Sequence, residues 1–248
     1  SSEFDVRPFI TKYPEKTLKF LKKLTNDNLA LGRRLSSEGT RPRLPLSSPL
    51  REFIKDPSPV IEILELLKDD PSLIVRRSVA NNLNDISKDN PDIVVSLLEQ
   101  WSKKASKERK WLIGHALRTL LKQGHQGALA ILGYFPPDEI ELPKFSVNKD
   151  EITLGDEIKF EIEINNKSGN ELKLMIDYLI YFMKANGKQS PKVFKLSKRI
   201  ISPYEKFSLN KKHQIKPLST RKIYQGRHCL QIKINGKKFE KLDFNVRF

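Results

Sequence analysis

Two periodicities divide this chain. From its start to about Tyr134, apolar residues recur at three- and four-residue steps in segments of helical length, broken by Pro, Asn-Asp and Gly. From about Leu142 to Phe248 polar and apolar residues alternate instead, as in Lys159-Phe160-Glu161-Ile162-Glu163-Ile164 and Leu230-Gln231-Ile232-Lys233-Ile234. The seam Phe135-Pro136-Pro137-Asp138-Glu139 holds two prolines, which stop helix and strand alike. The pattern therefore predicts a helical domain over residues 1–137 and an all-β domain over 138–248.

Within the first half, helices are expected in pairs: 15–23 with 28–38, 60–68 with 72–87, and 93–103 with 106–122. No single pair can bury its apolar stripe, so three in series predict an all-α, HEAT-like solenoid. Aligning Arg33-Arg34, Arg76-Arg77 and Lys110-Trp111 sets Glu38, Asn81 and His115 at equivalent positions on the second helix of each pair. On the middle helix Val75, Val79, Leu83 and Ile86 form the apolar stripe, while Arg77, Asn81 and Asp85 share another face. On the third, Leu112, Ile113, Ala116, Leu117 and Leu120 point inward and leave Trp111, His115, Arg118 and Lys122 on the open side.

The second half offers about seven strand-sized segments separated by turn signals, which predicts an immunoglobulin-like β-sandwich. Asn235-Gly236 predicts a tight hairpin between the last two strands, and the single cysteine, Cys229, is expected in the core, with His228 on the opposite face.

The net charge of +16 is uneven, with 22 Lys and Arg against 11 Asp and Glu over residues 145–248, and 24 against 19 over residues 1–144. Clusters at Lys192, Lys195, Lys198 and Arg199, and at Lys211, Lys212, Lys216, Arg221 and Lys222, suit contacts with phosphates. Nucleic acid is the expected partner. The apolar runs are too short for a membrane span, and one cysteine forms no internal disulfide, so a cytoplasmic monomer is expected. His115 and His125 have no His or Cys cluster at metal spacing beside them, so neither a metal nor another cofactor is expected.

Three strings carry a resemblance. At 2–10 (Ser-Glu-Phe-Asp-Val-Arg-Pro-Phe-Ile), 33–45 (Arg-Arg-Leu-Ser-Ser-Glu-Gly-Thr-Arg-Pro-Arg-Leu-Pro) and 76–85 (Arg-Arg-Ser-Val-Ala-Asn-Asn-Leu-Asn-Asp), the chain resembles the AlkC branch of DNA alkylation-repair glycosylases. A subgroup of that branch has an appended immunoglobulin-like domain. The resemblance implies that Glu3, Glu38 and Asp85 face the damaged nucleotide, and that cationic methylated bases such as 3-methyladenine and 3-methylcytosine are removed from duplex DNA without deep base flipping. It further implies helices ahead of Ser1 in a longer protein. The chain departs from the family at Leu46, where an aromatic residue is common.

A cationic base leaves as a neutral molecule and needs no general acid, so the catalytic task is to stabilise the oxocarbenium-like sugar. The expected roles are Asp85 orienting water, Glu38 stabilising the sugar cation and Glu3 assisting at the rim, with no Schiff-base lysine and hence no strand cleavage. Arg34, Arg41, Arg43, Arg77 and Arg118 are expected to clamp phosphates. Asn81, Trp111 and His115 line the same groove, and Lys198, Arg199, Lys211 and Lys212 reach DNA from the β domain. Two alternatives carry no catalysis: a binder of damaged DNA and a protein-interaction scaffold.

Overall fold

A computed structural model of the protein describes residues 2–217 and 222–248, so that Arg221 of the second basic cluster lies outside the described residues. Two compact units divide between Leu132 and Gly133, ahead of the Pro-Pro seam. Residues just past that division belong to the β unit through their contacts: the Tyr134 ring lies beneath Lys173 Nζ at 4.7 Å, and the Phe135 carbonyl accepts from Asn235 Nδ2 at 2.8 Å.

The helical unit contains α1 (Ser2–Asp5), α2 (Arg7–Lys12), α3 (Pro14–Leu24), α4 (Ala30–Glu38), α5 (Arg51–Lys55), α6 (Ser58–Leu67), α7 (Leu73–Ile86), α8 (Pro91–Ser102), α9 (Lys107–Ala116), α10 (Arg118–Gln123) and α11 (Gln126–Ile131). Its centre is α7, which packs against α4 on one side and α9 on the other, so the second helices of the three pairs stack side by side. The expected apolar stripes are buried, with Val75, Val79, Leu83, Leu112, Ala116 and Leu117 all at 0% exposure. Prolines open α3 and α8, where a missing N–H costs nothing, and Ser106 caps α9 by accepting from Arg109 N at 3.1 Å. Helices α1, α2, α5 and α11 have four to six residues each, too short to persist outside the fold and too short for periodicity to reveal.

One expected helix is broken. Residues 106–122 form α9 and α10, separated at Leu117. Side chains replace the helical bond there: Thr119 N donates to Asn84 Oδ1 at 3.2 Å, and the His115 carbonyl it would have used accepts Arg118 Nη1 at 2.6 Å.

The β unit is a sandwich of a three-stranded sheet, order β1-β3-β6, and a five-stranded sheet, order β2-β8-β7-β4-β5. The strands are β1 (Ile140–Val147), β2 (Glu151–Thr153), β3 (Glu157–Asn166), β4 (Leu172–Met183), β5 (Gln189–Ile201), β6 (Lys206–Gln214), β7 (Gly226–Ile234) and β8 (Lys237–Arg247). Ile158, Phe160, Ile162 and Ile164 of β3 face Ile176, Tyr178, Ile180, Leu230 and Ile232 across the core, as alternation predicts. Asn235 and Gly236 take φ of 45° and 87° in the turn between β7 and β8, the left-handed pair that a two-residue hairpin requires.

Cys229 is buried, at 5% exposure, but it lies outside the core between the two sheets. His228 shares its parity with Leu230, Ile232 and Ile234, and it is His228 that is fully buried, stacked on Phe244 with centroids 5.5 Å apart. Cys229 points to the other face, its Sγ 2.9 Å from Asp243 Oδ1. Among the described residues, no helix is long and apolar enough to cross a membrane.

Candidate active site and nucleic-acid face

The site is built where α4 ends. Gly39 follows directly, because a Cβ there would lie 2.6 Å from Val6 Cγ1 and 3.0 Å from the Leu35 carbonyl. The last carbonyls of α4 are satisfied by side chains: Thr40 Oγ1 donates towards those of Ser36 and Ser37, and Asn82 Nδ2 of α7 donates to Ser37 O at 2.8 Å. From α2, the buried Arg7 guanidinium donates to the carbonyls of Gly39, Arg41 and Ser48 at 3.1, 2.7 and 2.7 Å. One buried cation thereby fixes both ends of the loop between α4 and α5.

That loop delivers Arg41 between two carboxylates. Its Nη1 donates to Glu38 Oε1 at 2.7 Å, and its Nε and Nη2 both reach Asp85 Oδ2 at 2.8 Å. The side chains of Glu38, Arg41 and Asp85 are 9%, 9% and 3% exposed, so these are desolvated, charge-assisted bonds. Burial works against the Arg41 charge, but the bonds and proximity to Asp85, then to Glu38, outweigh it and raise its pKa above the usual value. Ser78 Oγ donates to Glu38 Oε2 at 2.6 Å, and Lys88 Nζ to Asp85 Oδ1 at 2.8 Å. Arg34 Nη2 extends the series outward, 3.9 Å from Glu38 and 3.6 Å from Glu3. The result is a ladder of alternating sign, Glu3–Arg34–Glu38–Arg41–Asp85–Lys88, which joins all three expected carboxylates.

Arg41, expected among the phosphate clamps, is thus an internal strut with its fork already occupied. Arg43 forms a bidentate pair with Asp89, both bonds 2.7 Å, and holds that carboxyl below the usual carboxylate range. Arg34 is about one-third exposed and Arg77 is exposed. Beside the ladder, Arg118 Nη2 donates to Asn81 Oδ1 at 3.0 Å, and His115 Nε2 lies 3.2 Å from the same oxygen. Trp111 stacks on His115 with rings 6° from parallel and keeps 40% of its surface exposed. Burial, then Arg118 and Arg77, lowers the His115 pKa and favours the neutral ring. His125 caps α11 by accepting from Ala128 N.

In the β unit Lys198 is exposed, and burial of its amine together with Lys195 and Lys173 nearby lowers its pKa. Arg199 is not free for phosphate: it binds Glu205 at 3.0 Å and lies 3.9 Å over the Phe207 ring. Lys211 and Lys212 are exposed on β6, where they line a hollow of about 370 Å³ with Lys159 and Glu161.

Sequence reasoning missed Ser78, Lys88, Asp89 and Arg7. Ser78, Asn82 and Asp85 lie at i, i+4 and i+7 of α7 and so share a face, a signal that points to Ser78. Arg7 carries no comparable local signal, since its partners are backbone carbonyls more than thirty residues away.

At the tip of the loop stands Leu46, 100% exposed, with φ +62°. A side chain other than glycine in that region costs on the order of 1 kcal/mol.

Residues 141–248 match the C-terminal Ig-like domain family of the protein YhaZ. YhaZ of Bacillus subtilis, described as an uncharacterized protein, is 42% identical over 246 residues, which span 99% of this chain and 68% of YhaZ. The Pseudomonas fluorescens alkylpurine DNA glycosylase AlkC, solved bound to DNA containing an abasic-site analogue, superimposes with a TM-score of 0.96 at 37% identity. That match covers 100% of this chain and 69% of AlkC. Fold, sequence and domain order agree, and the chain belongs to the AlkC family of helical-repeat proteins that end in an immunoglobulin-like domain.

Proposed function

We propose that this protein is a DNA glycosylase of alkylation repair that hydrolyses the N-glycosidic bond of cationic methylated bases in duplex DNA. The observation that carries this reading is the charge ladder: Glu38 and Asp85, separated by 47 positions in sequence, share one guanidinium in a family that includes an alkylpurine DNA glycosylase.

A 3-methyladenine or 3-methylcytosine leaves as a neutral base, so the protein's work is on the deoxyribose. A carboxylate about 4 Å from the growing sugar cation contributes at most on the order of 4 kcal/mol at an effective dielectric near 20. Arg41 offsets part of that field while it holds both acids in register. In this reading Glu38 faces the sugar, Asp85 orients the attacking water and Glu3 completes the rim. Arg77 and the exposed parts of Arg34 and Arg43 hold the backbone, Trp111 offers a stacking surface, and Asn81, His115 and Arg118 shape the groove. Lys198, Lys211 and Lys212 supply non-specific attraction from the β unit.

The test is release of free base from methylated duplex, followed by mass spectrometry, for the parent chain, Asp85→Asn and Glu38→Gln. The parent is expected to release base and leave the strand intact until heat or alkali is applied, while each variant slows by about 10²-fold or more. Equal release by all three would refute the roles of the acids. One observation favours a non-catalytic binder of damaged DNA, namely that every oxygen of Glu38 and Asp85 already has a partner. That reading predicts retained duplex binding with no base released by any of them.

A further inference from the structure

Neither oxygen of Asp85 is open to an attacking water. Oδ2 takes both Nε and Nη2 of Arg41, Oδ1 takes Lys88 Nζ at 2.8 Å, and the side chain is 3% exposed. A group that orients water and removes its proton must offer an oxygen within hydrogen-bond reach, so one of these partners has to leave.

The two partners differ in their freedom to do so. Arg41 is 9% exposed, divides its fork between Glu38 and Asp85, and has its own carbonyl gripped by Arg7 at 2.7 Å. Lys88 stands just past the end of α7, is 39% exposed, and joins the site through a single amine on a four-carbon stem with freely turning donors. An ion pair whose cation is this exposed adds little stability. Asp85 also stays compensated without it, since Arg41 remains bonded and Arg7, Arg43 and Arg118 lie close enough to feel its charge. Lys88 is therefore the partner that can exchange Asp85 for another oxyanion at small cost, and a duplex lays a row of them along its backbone.

We propose that Lys88 guards Asp85: it closes Oδ1 while the protein is free, and on duplex DNA it moves to a backbone phosphate beside the damaged nucleotide, which opens Asp85 to water. The water's proton then passes to Oδ1 as its oxygen bonds to C1′ of the deoxyribose. The bond from C1′ to the nucleobase breaks in the same process, and its electron pair leaves with the nucleobase, which departs neutral. Lys88 is a positioning residue that makes water activation conditional on phosphate contact. The proposal rests on the glycosylase reading above, and it accounts for the occupied oxygens of the free protein.

The test compares the parent with Lys88→Met, which keeps the stem and removes the amine, on duplexes carrying one 3-methylcytosine. In one duplex the phosphates on either side of the lesion are natural, and in the other they are neutral methylphosphonates. With protein in saturating excess, the parent is expected to release base at least about tenfold more slowly from the neutral duplex, because nothing draws Lys88 away. Lys88→Met is expected to outpace the parent on that duplex by about the same factor. A lysine that only stabilises the end of α7 predicts no such gain, and a variant no faster than the parent there would overturn the guard. Binding to a duplex with a tetrahydrofuran abasic analogue supplies a readout free of catalysis: in Lys88→Met the slope of log binding constant against log salt is expected to fall by about one. An unchanged slope would also overturn the proposal, as would a lowered Tm, which would make Lys88 a structural counter-ion. A parent that releases no base from either duplex would refute the glycosylase reading, while a slope lowered by one would still place Lys88 on phosphate, so the two failures are distinguishable.

Discussion

Replacing Arg41 by leucine removes the strut of the ladder and leaves two carboxylates facing each other under protein. Breaking a buried ion pair by deleting one partner costs about 3–5 kcal/mol, because the remaining charge stays desolvated. Arg41 serves both Glu38 and Asp85, but Lys88 still reaches Asp85 and Arg34 stands 3.9 Å from Glu38, which sets the expected loss near the lower end, about 3 kcal/mol. For a helical unit of 132 residues that corresponds to a fall in Tm of roughly 10 °C. Both tryptophans of the chain, Trp101 and Trp111, lie in this unit, so their fluorescence follows its unfolding separately from the β unit. Arg43→Leu breaks an ion pair whose arginine is 40% exposed and serves as the control, with an expected loss below about 1 kcal/mol. Equal stability of Arg41→Leu and the parent, or equal losses in the two variants, would refute the reasoning that Arg41 is an internal strut.

Two further outcomes follow from the β unit. Its His228 ring accepts from Met183 N at Nδ1 and meets the Tyr224 carbonyl at Nε2, an arrangement that requires the neutral form, and burial outweighs the Tyr224 bond to lower its pKa. A histidine with a lowered folded pKa contributes stability that is present above its unfolded value near 6.5 and lost as pH falls through the folded value. Sheet unfolding in urea, read by circular dichroism, should therefore weaken below about pH 6.5 by at most about 1.4 kcal/mol per pH unit, and His228→Leu should remove this contribution; an unchanged slope in that variant would contradict it. Replacing both Lys211 and Lys212 by alanine is expected to reduce the slope of log binding constant against log salt by about two, at unchanged preference for damaged over intact duplex. A parallel salt plot for variant and parent would place the DNA elsewhere.

Most of the architecture was legible from residue type and spacing. The change from helical to strand period near the Pro-Pro seam, the buried stripes of α7 and α9, and the Asn235-Gly236 hairpin all follow from local rules, because period and turn chemistry are properties of short segments. The expectation for Cys229 went against a parity that the strand itself carries, since His228 rather than Cys229 keeps step with Leu230, Ile232 and Ile234. By contrast, the break at Leu117 depends on Asn84, 35 residues before Thr119, and no window centred on residues 106–122 contains it.

Sequence alone determined which carboxylates to consider, because Glu3, Glu38 and Asp85 sit in recognisable strings and two of them follow from the repeat. Only the tertiary structure decided what surrounds them. Arg41 and Asp85 are 44 residues apart, and nothing local distinguishes Arg41 from Arg43 or Arg77 as the arginine that becomes buried. Packing of α4 on α7 makes that choice, because it brings Glu38 and Asp85 to face one guanidinium and their charges replace the water it loses. The same packing leaves Leu46 outside, on a loop that the fold holds rigid and does not cover.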